Sequence, residues 1–179
     1  MSLTIEAPFP VSRGAATALA ALGPVALGGM LAARAGDPSP MLAAPAIVFG
    51  VVAATGPALY IAMAAAGAAP PLAGMVRAFG VALGAFGLAL AGLILPATFV
   101  ALSSVSAATT IAAASAALAG AGYLGLRGLA CELRGGRADA PSGASGASIL
   151  GGVVFLAWAG ATLAIAGRLW WDLAREVVS

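Results

Sequence analysis

Histidine is absent from this chain, and so is lysine. Without histidine, the usual haem, di-iron and copper ligands are missing, together with the commonest general base. A single cysteine, Cys131, rules out an intramolecular disulfide and a cysteine-rich metal site. Charge is scarce: 8% of residues are Asp, Glu, Lys or Arg, against about 25% in an ordinary soluble domain. The eight basic residues are all arginine and lie scattered along the chain. A nucleic-acid face needs them gathered on one surface, so nucleic acid is not an expected partner. The chain has no paired carboxylate, no Ser/Lys dyad and no glycine-rich phosphate loop, which makes a non-enzymatic protein without cofactor or metal the expectation.

Hydrophobic side chains fill the remainder, at 62% of residues and a mean hydropathy of +1.08. The longest uncharged stretch, Ala78 to Leu126, has 49 residues between Arg77 and Arg127. As one helix it would extend roughly 74 Å at ~1.5 Å per residue, and a bilayer core is about 30 Å thick. It therefore folds back as two spans with an uncharged reversal. Pro96 is one candidate for that reversal. Ser103, Ser104 and Ser106 form the other, because their hydroxyls compete for backbone hydrogen bonds. Breaking at the serines divides the stretch closer to bilayer thickness and leaves Pro96 inside a span.

The same logic applied along the chain predicts an all-α integral membrane protein, a bundle of five transmembrane helices in one domain covering 1–179. The spans fall at about 14–34, 42–66, 72–102, 107–127 and 149–171. Gly36-Asp37-Pro38-Ser39-Pro40 and Ala68-Ala69-Pro70-Pro71 read as breaks. Residues 128–148 read as a polar loop with a flexible Ser/Gly/Ala tail. Pro24, Pro57 and Pro96 sit within spans and are expected to kink them, freeing the carbonyls of Ala20, Ala53 and Gly92.

With five spans the termini lie on opposite sides. The N-terminal side then holds Arg13, Arg77, Arg127, Arg134 and Arg137, and the other side Arg34, Arg168 and Arg175. The positive-inside rule favours a cytoplasmic N-terminus and an outside C-terminus in a plasma (inner) membrane.

Small residues recur at helical spacing. Gly80, Gly84, Gly87 and Ala91 form one stripe on the third span, Thr109, Ala113, Ala116 and Gly120 one on the fourth, and Ala157, Gly160, Ala164 and Gly167 one on the fifth. In lipid, close backbone approach through small residues is a principal source of helix association, although an Ala/Gly-rich chain also produces such stripes by composition alone. Ser103, Ser104, Ser106, Thr109 and Thr110 are the most polar patch near the membrane interior. They could line a solute path or simply bond their own backbone. No ionisable side chain falls at the centre of a predicted span, which disfavours proton or ion coupling. The expected function is an accessory or scaffold subunit that packs against other transmembrane proteins in the lipid bilayer. The alternative is a small-solute channel or transporter component.

Overall fold

The computed structural model describes residues 13–104, 106–135 and 145–178, and every regular element among them is helical. In chain order these are α1 (Arg13–Ala35), α2 (Ser39–Ala65), α3 (Leu72–Ser103), α4 (Ala107–Gly135) and α5 (Ser145–Val178). The last four are long and apolar enough to cross a membrane; the apolar part of α1, Ala20–Ala35, is shorter. The residues expected to lead into the first span, 1–12, lie outside the described residues.

Each break has a local cause. Gly36 follows α1 at φ 71° and Gly67 follows α2 at φ 65°, a region open to glycine and costly for other residues. After α2, the Ala68 N–H donates to the Met63 carbonyl at 2.8 Å and the Gly67 N–H to Ala64 at 3.0 Å. This paired closure satisfies carbonyls that the helix end leaves free. At the start of α2, an Asp37 carboxylate oxygen accepts from the Ser39 N–H at 3.1 Å. The Ser39 hydroxyl also donates to Asp37, and these bonds hold its carboxyl below the usual carboxylate range.

The reversal inside the long uncharged stretch falls at the serines. Ser104 takes an extended backbone and ends α3, and the Ser106 N–H donates to the Ser104 hydroxyl at 3.2 Å. Helix continues through Pro24 in α1, Pro45 and Pro57 in α2 and Pro96 in α3. Two helices run past their expected limits; α5 begins at Ser145, inside the expected loop, and continues beyond Trp171 to Val178. The first part of the expected loop 128–148 is helical, because α4 runs on to Gly135. Leu129 and Leu133 continue its apolar face and bury against Met75, Ala78 and Ala82 of α3. Burial on a neighbouring helix thus carries α4 past the charged residues that the sequence reading took as its end. The loop's centre, 136–144, lies outside the described residues.

The helices pack in the lateral order α4, α3, α1, α2, α5. The α3–α4 contact is the most extensive, and α5 is held chiefly by α2. The buried residues divide into two layers. One joins Leu27 and Leu31 of α1 to Leu90 and Ile94 of α3, Ala114 and Ala117 of α4, and Trp170 of α5. The other joins Leu59 and Met63 of α2 to Met75 and Ala78 of α3 and Leu129 of α4. Late residues of α3 share a layer with early residues of α4, and early residues of α3 share the other with late residues of α4. That is the pattern of antiparallel neighbours.

Glycine permits two of the closest approaches. A Cβ added to Gly23 would stand 2.5 Å from the Gly87 carbonyl oxygen and 2.8 Å from Leu90 Cβ. One added to Gly28 would stand 2.5 Å from the Pro40 carbonyl oxygen. Helix α1 can lie this near to α3 and α2 only because these two positions carry no side chain.

Candidate functional site: the seam between α4 and α5

Helices α4 and α5 meet only sparingly, and two cavities occupy the seam between them. Both are open on one side; the inner one, so called for its more apolar lining, has a volume of about 320 Å³ and is walled by α2, α3, α4 and α5. Val51, Phe79, Phe86, Leu118 and Leu126 make most of its surface apolar. The outer one is an open cleft of about 820 Å³, lined by Met63, Phe155, Leu156, Tyr123, Arg127 and Arg134 among others. Leu126 and Leu163 line both, so the two spaces adjoin.

Polar atoms on the inner cavity are few. Trp158 Nε1 donates across to the Thr55 carbonyl of α2 at 2.8 Å. Trp170 Nε1 donates to the Ser115 hydroxyl of α4 at 2.9 Å. Phe79 meets Trp158 edge to face, with ring centroids 5.9 Å apart. Thr162, only 9% exposed, also lines this cavity, and its hydroxyl oxygen is buried with no hydrogen-bond partner. An unpaired buried hydroxyl is costly, and this oxygen, without accessible surface, is packed behind the greasy wall rather than presented on it.

The cleft mouth is basic. Arg127 and Arg134 stand two turns apart on one face of α4, and both are exposed. The nearest acid on α4, Glu132, is engaged by Arg77 of α3 at 3.5 Å. Neither Arg127 nor Arg134 has an ion pair among the described residues. Cys131, also on α4, is an exposed free thiol. No group of His, Cys, Asp and Glu among the described residues is arranged to hold a metal ion. The only titratable side chains lining the two cavities are Arg127, Arg134 and Tyr123.

The small-residue stripes divide by role. On α3, Gly87 and Ala91 lie against Gly23 of α1, whereas Gly80 and Gly84 face open space. On α4, Gly120 lies against Leu93 of α3, Ala113 packs on the core, and Thr109 and Ala116 are exposed. On α5, all four of Ala157, Gly160, Ala164 and Gly167 are exposed, and a Cβ added to Gly160 or Gly167 would meet nothing within 4 Å. Sequence reasoning did not single out Gly23, Gly28, Trp158 or Thr162. A search for polar atoms inside apolar spans would have flagged Trp158 and Thr162, since lipid leaves such atoms without water.

The hydroxyl patch gathers at the α3–α4 turn. Ser103 ends α3, Ser104 and Ser106 form the turn, and Thr109 and Thr110 follow in the first turns of α4. None of them lines either cavity. Thr110 is fully buried, with an unpaired hydroxyl of its own. Comparison with protein-family models, with curated proteins and with solved structures gives no match.

Proposed function

We propose that this protein is a non-enzymatic, multi-pass subunit of the plasma (inner) membrane, and that α5 docks it against a helix of another membrane protein. All five helices cross in this reading. Helix α1, with 23 residues, extends about 34 Å at ~1.5 Å per residue, enough for a hydrocarbon core of about 30 Å. The internal prolines bend the spans that contain them.

The observation that carries the proposal is the exposed small-residue stripe of α5, whose Gly160 and Gly167 border the α4–α5 cavities while Ala157 and Ala164 line neither. This helix leans on α2 and touches α4 little, and its Ala157, Gly160, Ala164 and Gly167 stripe is exposed. Small residues at this spacing favour close approach of a second helix in lipid. The transport alternative has less support. Ser103, Ser104, Ser106, Thr109 and Thr110 gather at the α3–α4 turn and line neither cavity, and the inner cavity's walls are mostly apolar.

The test is migration on native gels after extraction in mild detergent. The wild-type protein should run well above monomer mass. Ala164→Trp, which fills the stripe, should return it to monomer. Leu88→Trp, at a lipid-facing position of α3 that is 58% exposed, should leave migration unchanged. Monomeric migration of the wild type, or an Ala164→Trp protein that still runs at high mass, refutes the proposal.

A further inference from the structure

The α4–α5 seam combines an apolar cavity with a basic mouth, and α5 docking explains neither. We infer that it is a binding site for one anionic membrane phospholipid, with the phosphate at Arg127 and Arg134 and an acyl chain in the inner cavity. This goes beyond the subunit reading and does not depend on it.

Charge comes first. The Arg77–Glu132 pair joins α3 to α4. Arg127 stands five residues before Glu132 on α4, roughly 7–8 Å further along the helix at ~1.5 Å per residue. Arg127 closes the uncharged run of α4, and an arginine at the edge of a span is best served by an opposite charge or water. Glu132 is already engaged, and Arg127 and Arg134 both border the open cleft. A guanidinium is suited to holding a phosphate through two parallel hydrogen bonds. Two of them, about 10 Å apart along the helix, can bracket one headgroup from either side.

Shape and polarity select the remainder of the ligand. Below the arginines the cleft passes Leu126 and Leu163 into the inner cavity. Its apolar wall suits a hydrocarbon chain and offers a hydrophilic solute almost nothing. The polar groups that border this cavity, Trp158 Nε1 and Trp170 Nε1, are already bonded to protein acceptors, so its wall asks nothing polar of an acyl chain. The scarcity of α4–α5 contact leaves a lateral entrance from the bilayer, with Tyr123 and Leu156 exposed at its edge.

The test uses full-length protein in nanodiscs and quenching of tryptophan by acyl-brominated lipid. Trp158 and Trp170 line the inner cavity, and Trp171→Phe removes an indole that is 51% exposed. In that background, brominated phosphatidylglycerol is compared with brominated phosphatidylcholine at equal mole fraction. Phosphatidylglycerol should be preferred by about fivefold or more, an effect on the scale of basic residues meeting anionic lipid. Arg127→Gln with Arg134→Gln should bring the preference close to unity. Both residues are exposed, so folding should survive, and unchanged circular dichroism checks that it does. Inorganic phosphate at millimolar concentration should not compete, since it has no chain. Equal quenching by the two lipids, as when a partner helix or nothing fills the seam, overturns the inference. So does a preference that survives the double arginine substitution, or loss of quenching to inorganic phosphate.

Discussion

Trp158 of α5 donates its indole N–H to the backbone carbonyl of Thr55 on α2 at 2.8 Å. That bond, with the edge-to-face contact to Phe79, pins a helix that has little else to lean on. Trp170 supplies the matching tie to Ser115 of α4. Each indole places its ring among apolar side chains and its one donor on an acceptor, as a wet-tipped aromatic in lipid must.

Trp158→Phe keeps the ring and deletes the donor, so it should cost about 0.5–1 kcal/mol, the usual value of an interhelical hydrogen bond in a membrane. Trp158→Ala also removes the packing against Phe79 and should cost about 3 kcal/mol, as truncation of a large aromatic does. Unfolding by graded denaturing detergent measures both. Equal losses would mean that the aromatic contact contributes nothing.

Gly23→Ala should destabilise the bundle by about 1–3 kcal/mol, the range for overpacking a close contact. The new methyl meets the backbone of α3 at Gly87, and α1 must move away. Gly84→Ala enters open space and should be neutral, or stabilising by up to about 1 kcal/mol from helix propensity. The same unfolding assay ranks the two. A Gly84→Ala loss as large as that of Gly23→Ala would place α1 and α3 differently.

These two glycines show how far the sequence is legible. Hydrophobic runs and their punctuation locate the helices: Gly36 and Gly67 end α1 and α2 with positive φ, and the serines turn the α3–α4 hairpin. The face of contact is harder to read. The stripe on α3 holds two residues that meet α1 and two that meet nothing. One helix's small residues do not reveal which way its neighbour is rotated. Gly23 of α1 makes one of the tightest approaches because Gly87 faces it, which the α1 sequence by itself does not show. The seam was hidden for the same reason. Trp158 and Thr162 lie on α5 and Arg127 and Arg134 on α4, across the loop between the two helices, and the weak packing of α5 on α4 leaves the space that they border. The end of α4 was misjudged because charge at Arg127 marks an apolar limit, whereas the helix persists to Gly135 through Leu129 and Leu133.

Membrane orientation follows the arginines. Reporter fusions at residues 140 and 179 should show cytoplasmic activity at 140 and external activity at 179, because five arginines fall on the first side and three on the other. Cytoplasmic activity at 179 would reverse the C-terminus and remove one crossing from the account.

Docking through α5 is tested most directly by a photo-crosslinking amino acid placed singly at Ala157, Ala164 and Leu88 in intact cell membranes. The account predicts one discrete protein adduct, of the same mass, from Ala157 and Ala164 and none from Leu88. Lipid adducts alone at Ala157 and Ala164, or the same protein adduct from all three positions, would contradict it.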